Sequence, residues 1–179
     1  VADADVVSVG TGNANMGVFL LGRIMNAIGF GDGDDSWIKL ENALRECEPE
    51  VQTEVMNLYN ELRAKLVSDE LPTEIVDAMV NAIVYTMVSY MLNYAGVIDA
   101  IVELNPDVEI MIVGLMNTMN GMDFTYGGET YDLGEYMYGA LSYMNAYLAG
   151  LPTALQADGK YPGATFYYAE ASNVDVMVN

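Results

Sequence analysis

Histidine is missing from all 179 residues, and cysteine occurs once, at Cys47. Without an imidazole the polypeptide cannot by itself run a serine–histidine proton relay. Without a second cysteine it forms no internal disulfide and no cysteine-based zinc centre. Cys47 lies between Glu46 and Glu48, acidic surroundings that disfavour the thiolate a nucleophile needs. Positive charge is also sparse: six Lys plus Arg face 26 Asp plus Glu, a formal charge of −20. Phosphate backbones and anionic membranes would be repelled, so nucleic acid and acidic lipid surfaces are not expected partners. No basic segment followed by an apolar stretch opens the chain, so no signal peptide is visible. An excised domain or processed product is the expectation.

Apolar side chains, by contrast, are plentiful. At 53% of the residues they can build a sizeable core, which excludes disorder, and the length fits one domain spanning 1–179 or a fragment of one. The acidity is read first as what keeps so apolar a chain soluble. A calcium-bathed setting is the functional alternative, and it favours an extracellular or cell-surface location.

Residues 4–9 form a short, β-branched run that stops at Gly10, the pattern of a buried strand. Residues 15–28 carry Met16, Phe19, Leu20, Ile24 and Ile28 at helical spacing. Ser36 can cap a helix near 36–46, and Pro49 opens another to about Leu66. The longest helical pattern runs from Pro72-Thr73-Glu74 to Leu104, where Asn105-Pro106 closes it. Residues 109–114 are a second strand ending in glycine, so a parallel α/β pair is expected. A turn-rich stretch over 120–133, a helix over 133–149, and strand candidates at 165–168 and 174–177 complete the reading. Within the long helix, residues 78–98 carry no charged side chain, a length that could span a bilayer. Asn81, Thr86, Ser89, Asn93 and three tyrosines would be costly in hydrocarbon, so a buried helix rather than a membrane span is expected.

The opening strand feeds Gly10-Thr11-Gly12-Asn13-Ala14-Asn15. Such a turn can present a backbone N–H and a side-chain amide together, which is what stabilises a developing oxyanion. Read plainly, it is a strand-to-helix turn in which Asn15 caps the helix. The segment resembles the G-x-N-D block of the SGNH (GDSL-type) hydrolases. Residues 94–114, a helix ending at Asn105-Pro106-Asp107 and followed directly by a strand, resemble that family's next helix and sheet strand.

The resemblance covers about a quarter of the chain, in order. It implies a three-layer α/β/α, flavodoxin-like parallel sheet, with residues 30–75 as a helical insertion. It also implies hydrolysis of a small ester or an acylated glycan, or of a lipid, through a serine acyl-enzyme. By the same resemblance Asn13 would donate to the oxyanion while Gly12 shapes the turn. Three departures stand beside it. Ala14 replaces the acid that follows the asparagine; Gly33-Asp34-Asp35-Ser36 has the composition of the nucleophile block but follows the asparagine block; and the closing Asp-x-x-His is absent. A segment cut at both ends from a longer hydrolase would account for them, leaving a chain inactive in isolation. A truncated sheet would also expose apolar edges, so homo-oligomerisation is expected.

Other clusters have simpler readings. Asp32, Asp34 and Asp35 could attract calcium, but they lack the EF-hand's glycine and distal glutamate, and helix capping accounts for them. No metal or cofactor site is therefore assigned. Glu46, Glu48 and Glu50 read as solvated acids at a helix start, and no glycosidase-like carboxylate pair is singled out. The tyrosines from Tyr126 to Tyr168 could line a sugar or acyl cleft. Tyr136, Tyr143 and Tyr147 are also spaced as core-facing positions of one helix, the reading preferred here. The alternative function is a non-catalytic, acidic surface module that binds glycan or protein through those tyrosines.

Overall fold

The computed structural model describes residues 3–10, 20–26, 36–66, 73–118 and 120–171. In chain order the elements are β1 (Val6–Val9), α1 (Leu20–Met25), α2 (Ser36–Arg45), α3 (Pro49–Leu66), α4 (Thr73–Leu104), β2 (Glu109–Val113), β3 (Asp123–Tyr126), β4 (Glu129–Asp132), α5 (Leu133–Asp158) and β5 (Thr165–Ala169). Contacts divide them into two compact units: Val1–Asn13 with Asn93–Asn179, and Ala14–Leu92.

The first unit is α/β. Its sheet has the order β1-β2-β5 with every neighbour parallel, Val9 opposite Ile112 and Val113 opposite Ala169. Ile110 and Ile112 are fully buried while Met111 and Val113 are half-buried, the partial cover on both faces that a parallel sheet requires. Helix α5 packs on β5 and β2. Met137, Leu141, Met144 and Leu148 form its innermost stripe, so Tyr143 and Tyr147 flank the core, half-buried, rather than filling it.

Two features differ from the sequence reading. Helix α5 does not stop near 149 but runs through Pro152 to Asp158, ending at Gly159 in the left-handed region (φ 69°). Proline forfeits one helical N–H bond, yet Leu148, Leu151 and Leu155 continue the apolar stripe, and that periodicity outweighs it. The stretch read as turns holds a hairpin, Asp123 pairing Asp132 and Tyr126 pairing Glu129 around Gly127-Gly128. Both glycines have positive φ (62° and 94°), the conformation a two-residue hairpin loop demands.

The second unit is helical. Leu40, Val55, Leu62, Val76, Met79, Val80, Ile83 and Val84 make its core. Trp37 meets Tyr59 edge-on at 5.6 Å, the Tyr59 hydroxyl donates to Asn81 Oδ1 (3.0 Å), and Arg63 pairs with Asp77 (2.5 Å). Arg23 lies 4.5 Å above the Tyr85 ring. Among the described residues, α4 is the one helix long and apolar enough, over Val76–Leu104, to cross a membrane by length and composition. Within it Val76, Met79, Val80, Ala82, Ile83, Val84, Met87 and Val88 are buried, while 28% of its apolar window is buried in all, and the buried Thr86 hydroxyl donates back to the Ala82 carbonyl (2.8 Å).

Candidate functional site

Because the three strands of the sheet are parallel, their carboxyl ends share one edge. Open α/β sheets bind ligands on that side where the strand order reverses, and the order β1-β2-β5 has no reversal among the described strands. At that edge β2 outlasts its partner. Gly114 N–H still donates to the Ala169 carbonyl (2.9 Å), the last rung that β5 can offer. Leu115 is then served by a side chain: its N–H donates to Asn145 Oδ1 (2.6 Å), and Asn145 Nδ2 donates to its carbonyl (2.9 Å). The amide of a buried asparagine on α5 thus replaces a strand, satisfying two main-chain groups that would otherwise be buried and orphaned.

Crowding at Gly114 explains the absence of a side chain there. A Cβ would lie 2.6 Å from the Tyr168 hydroxyl, 3.2 Å from Asn145 Oδ1 and 3.3 Å from the Ala171 nitrogen. The Tyr168 hydroxyl in turn donates to Glu170 Oε2 at 3.4 Å. Partial burial, and then the Glu170 carboxylate, hold the Tyr168 phenol above its ordinary value.

Beyond this edge opens a cavity of about 230 Å³. One wall is a stripe of α5 at three- and four-residue spacing: Tyr138, Leu141, Ser142, Asn145, Ala146 and Ala149. The rest comes from Leu115 and Asn117 after β2, and from Glu170 after β5. Asn117 Nδ2 donates to the Gly134 carbonyl (2.9 Å) and so ties that wall to the first turn of α5. The same turn is fixed by a capping pair, Asp132 accepting from the Glu135 N–H (3.0 Å). Tyr138, 70% exposed, stands at the mouth. The cavity is thus lined by hydroxyl, carboxylate and aromatic groups and by two amides that are already engaged with the main chain of Leu115 and Gly134.

The opposite edge is a clamp. Lys160 Nζ and the Tyr161 hydroxyl both reach Asp99 Oδ1 at 2.6 Å, and Lys160 also lies 5.0 Å from the Tyr161 ring centroid. Bonds from Lys160 and then Tyr161 hold the Asp99 carboxyl below its ordinary value. Lys160 is held above its own value, first by Asp99 and then by Tyr161. Asn105 Nδ2 donates to the Ala4 carbonyl (2.9 Å), while its Oδ1 accepts from Asp107 N–H (3.2 Å), so the Asn-Pro-Asp turn locks the entrance to β2 beside β1.

Of the residues singled out in the sequence, Gly12 and Asn13 lie outside the described residues, as do Asp32, Asp34, Asp35 and residues 174–177. Strand β1 ends at Val9, three residues before Gly12 in the sequence. Cys47 is half-buried, its thiol donating to the Ala43 carbonyl (3.4 Å). Among the described residues no group of three or more acidic and cysteine side chains could hold a metal ion. Asn117, Ser142, Asn145 and Glu170 were not anticipated. Asn145 alone left a trace in the sequence, as an amide next to Met144 on an otherwise apolar helix face. No protein-family model, curated protein or solved structure matches the chain.

Proposed function

We propose that the chain is part of an SGNH-like serine ester hydrolase, to which it contributes the oxyanion-donating amide of Asn13 and a wall of the substrate cleft. The observation that carries the reading is the sheet itself. Three parallel strands put their carboxyl ends on one edge, a polar-lined cavity opens past β2 and β5, and β1 ends at that edge, with Gly12-Asn13 following it in the sequence. In this scheme a fixed amide meets charge as it develops on the carbonyl oxygen, in a site already organised to receive it. The nucleophilic serine and its imidazole partner are not assigned to any residue of this chain, so the 179 residues alone are expected to be inert.

The test separates binding from turnover. A short-chain alkyl phosphonate monoester mimics the oxyanion and should bind the isolated chain with shifts in the amide NMR signals of residues 12–13 and 115. Loss of one charge-assisted hydrogen bond in Asn13→Ala should weaken that binding roughly tenfold or more. p-Nitrophenyl acetate should turn over no faster than in buffer. Turnover well above buffer that disappears in Asn13→Ala, or phosphonate binding indifferent to Asn13, would refute the assignment.

A further inference from the structure

We propose that the sheet face turned away from α5 docks a cationic amphipathic helix of another protein. The proposal stands apart from the ester chemistry above and uses the opposite side of the sheet from α5.

Topology leaves that face bare. The order β1-β2-β5 steps the same way across the sheet at both crossovers. Right-handed crossovers then drop the end of α4 and the whole of α5 onto one face. The contacts agree. Helix α5 packs on β2 and β5, and Asp99 near the end of α4 accepts from the Tyr161 hydroxyl, whose ring lies 5.7 Å from that of Phe166. Ile110, Ile112 and Phe166 are buried on this side. Among the described residues of the unit no further helix is left for the other side. Parallel sheets are ordinarily covered on both.

Register gives the residues of the bare face. Val6, Glu109 and Thr165 make one row, Ser8, Met111 and Tyr167 the next, and Val113 and Ala169 the last. Val6 is 54% exposed on one edge strand and Tyr167 47% exposed on the other, with Met111 and Val113 half-buried between them. Apolar groups thus run from edge to edge as one patch, and a contiguous apolar patch marks an interaction site where single exposed residues do not.

Size selects one helix over a second copy. Three strands of four or five residues, about 4.8 Å apart and rising about 3.3 Å per residue, present roughly 200 Å². A stable dimer needs roughly 800 Å² from each partner. A helix about 10–12 Å across, rising about 1.5 Å per residue, covers the patch with roughly ten residues.

Charge selects the kind of helix. The unit made of Val1–Asn13 and Asn93–Asn179 has thirteen Asp and Glu against one base, Lys160, which is bound to Asp99. Glu109 shares the row of Val6 on the patch and is exposed. A second copy would bring like charge to this surface. A helix with an apolar stripe flanked by Lys and Arg brings the opposite sign, and the field of the unit steers it in.

The experiment titrates the 179-residue chain with a fluorescein-labelled 14-residue peptide of leucine and lysine, its leucines at helical spacing. A scrambled peptide of the same composition and a version with glutamate for lysine are run beside it. At 150 mM salt the patterned peptide should bind at least tenfold more tightly than the scramble and shift the amide signals of residues 6, 8, 111 and 167, and the glutamate version should not bind. Tyr167→Glu and Val6→Glu should each weaken binding about tenfold at unchanged melting temperature. Glu109→Gln should weaken it about two- to threefold and flatten its salt dependence. Equal binding of the scramble would reduce the effect to bulk charge and overturn the proposal, as would glutamate variants that bind like the parent. A concentration-dependent dimer dissolved by Tyr167→Glu would assign the face to a second copy instead. Binding to phosphatidylcholine vesicles lost in the same variant would assign it to a lipid surface, and either result would overturn the proposal.

Discussion

The two ends of the same three strands are built on opposite plans. At the amino edge every element is tied down: Lys160 and Tyr161 close on Asp99, Asn105 bridges to Ala4, and Gly163 is pressed against the Pro106–Asp107 turn. At the carboxyl edge the buried amide of Asn145 holds Leu115 and Asn117 ties the chain to the first turn of α5, and the space beside them stays open. Rigidity concentrated at one edge lets the other keep a cavity without losing the register of its walls. That is the arrangement a binding site needs from a scaffold.

The sharpest way to break this contrast is Asn145→Leu. The side chain keeps similar bulk but leaves the N–H and C=O of Leu115 buried without partners, a cost of about 2–4 kcal/mol. Urea denaturation should show that loss, and ligand binding in the cavity should fail before the fold does. A neutral result would mean that main-chain groups at this edge are satisfied in some other way.

Gly163→Ala probes the other edge. The new methyl would sit 2.5 Å from Asp107 Oδ1 and 2.7 Å from the Pro106 carbonyl oxygen, and a main-chain oxygen cannot swing away. Overpacking of this kind costs about 1–3 kcal/mol. The loss should appear in the denaturation midpoint with cavity binding preserved at temperatures where the protein is folded. Equal damage to binding would show that the two edges are not independent.

Smallest is the effect of acid. A carboxyl held below its ordinary value contributes stability that is complete above the unfolded value near 3.8 and fades as pH falls through the lower folded value. The melting-temperature gap between wild type and Asp99→Asn should therefore be flat near neutrality and close only in strong acid. Because the pair is exposed, the gap should also shrink with added salt. A gap that closes between pH 5 and 7 would point to a different titrating group.

Much of this was legible in the sequence, for identifiable reasons. Val6–Val9 and Glu109–Val113 were readable because short β-branched runs ended in glycine, and the long helix because Pro106 stops it where the apolar pattern ends. The hairpin was written in Gly127-Gly128 flanked by Thr125-Tyr126 and Glu129-Thr130, but its strands are too short to show alternation. Pro152 hid the last turns of α5, since a local rule was overridden by a continuing apolar stripe. The cavity was the least legible part. Leu115, Asn145 and Glu170 come from three separate segments, and only the parallel register brings them to one edge. Asn13 was legible as a chemical type at a plausible spacing, which is a different matter from a position in space.

The hairpin between β2 and α5 has a practical consequence. Its tip of two left-handed glycines bears no packing, while its base is anchored by the buried Tyr131 and continues into the cap of the helix that walls the cavity. A guest peptide or fluorophore spliced between Gly127 and Gly128 would ride on a stem rooted beside the binding wall, making this tip the natural place for an optical reporter of occupancy.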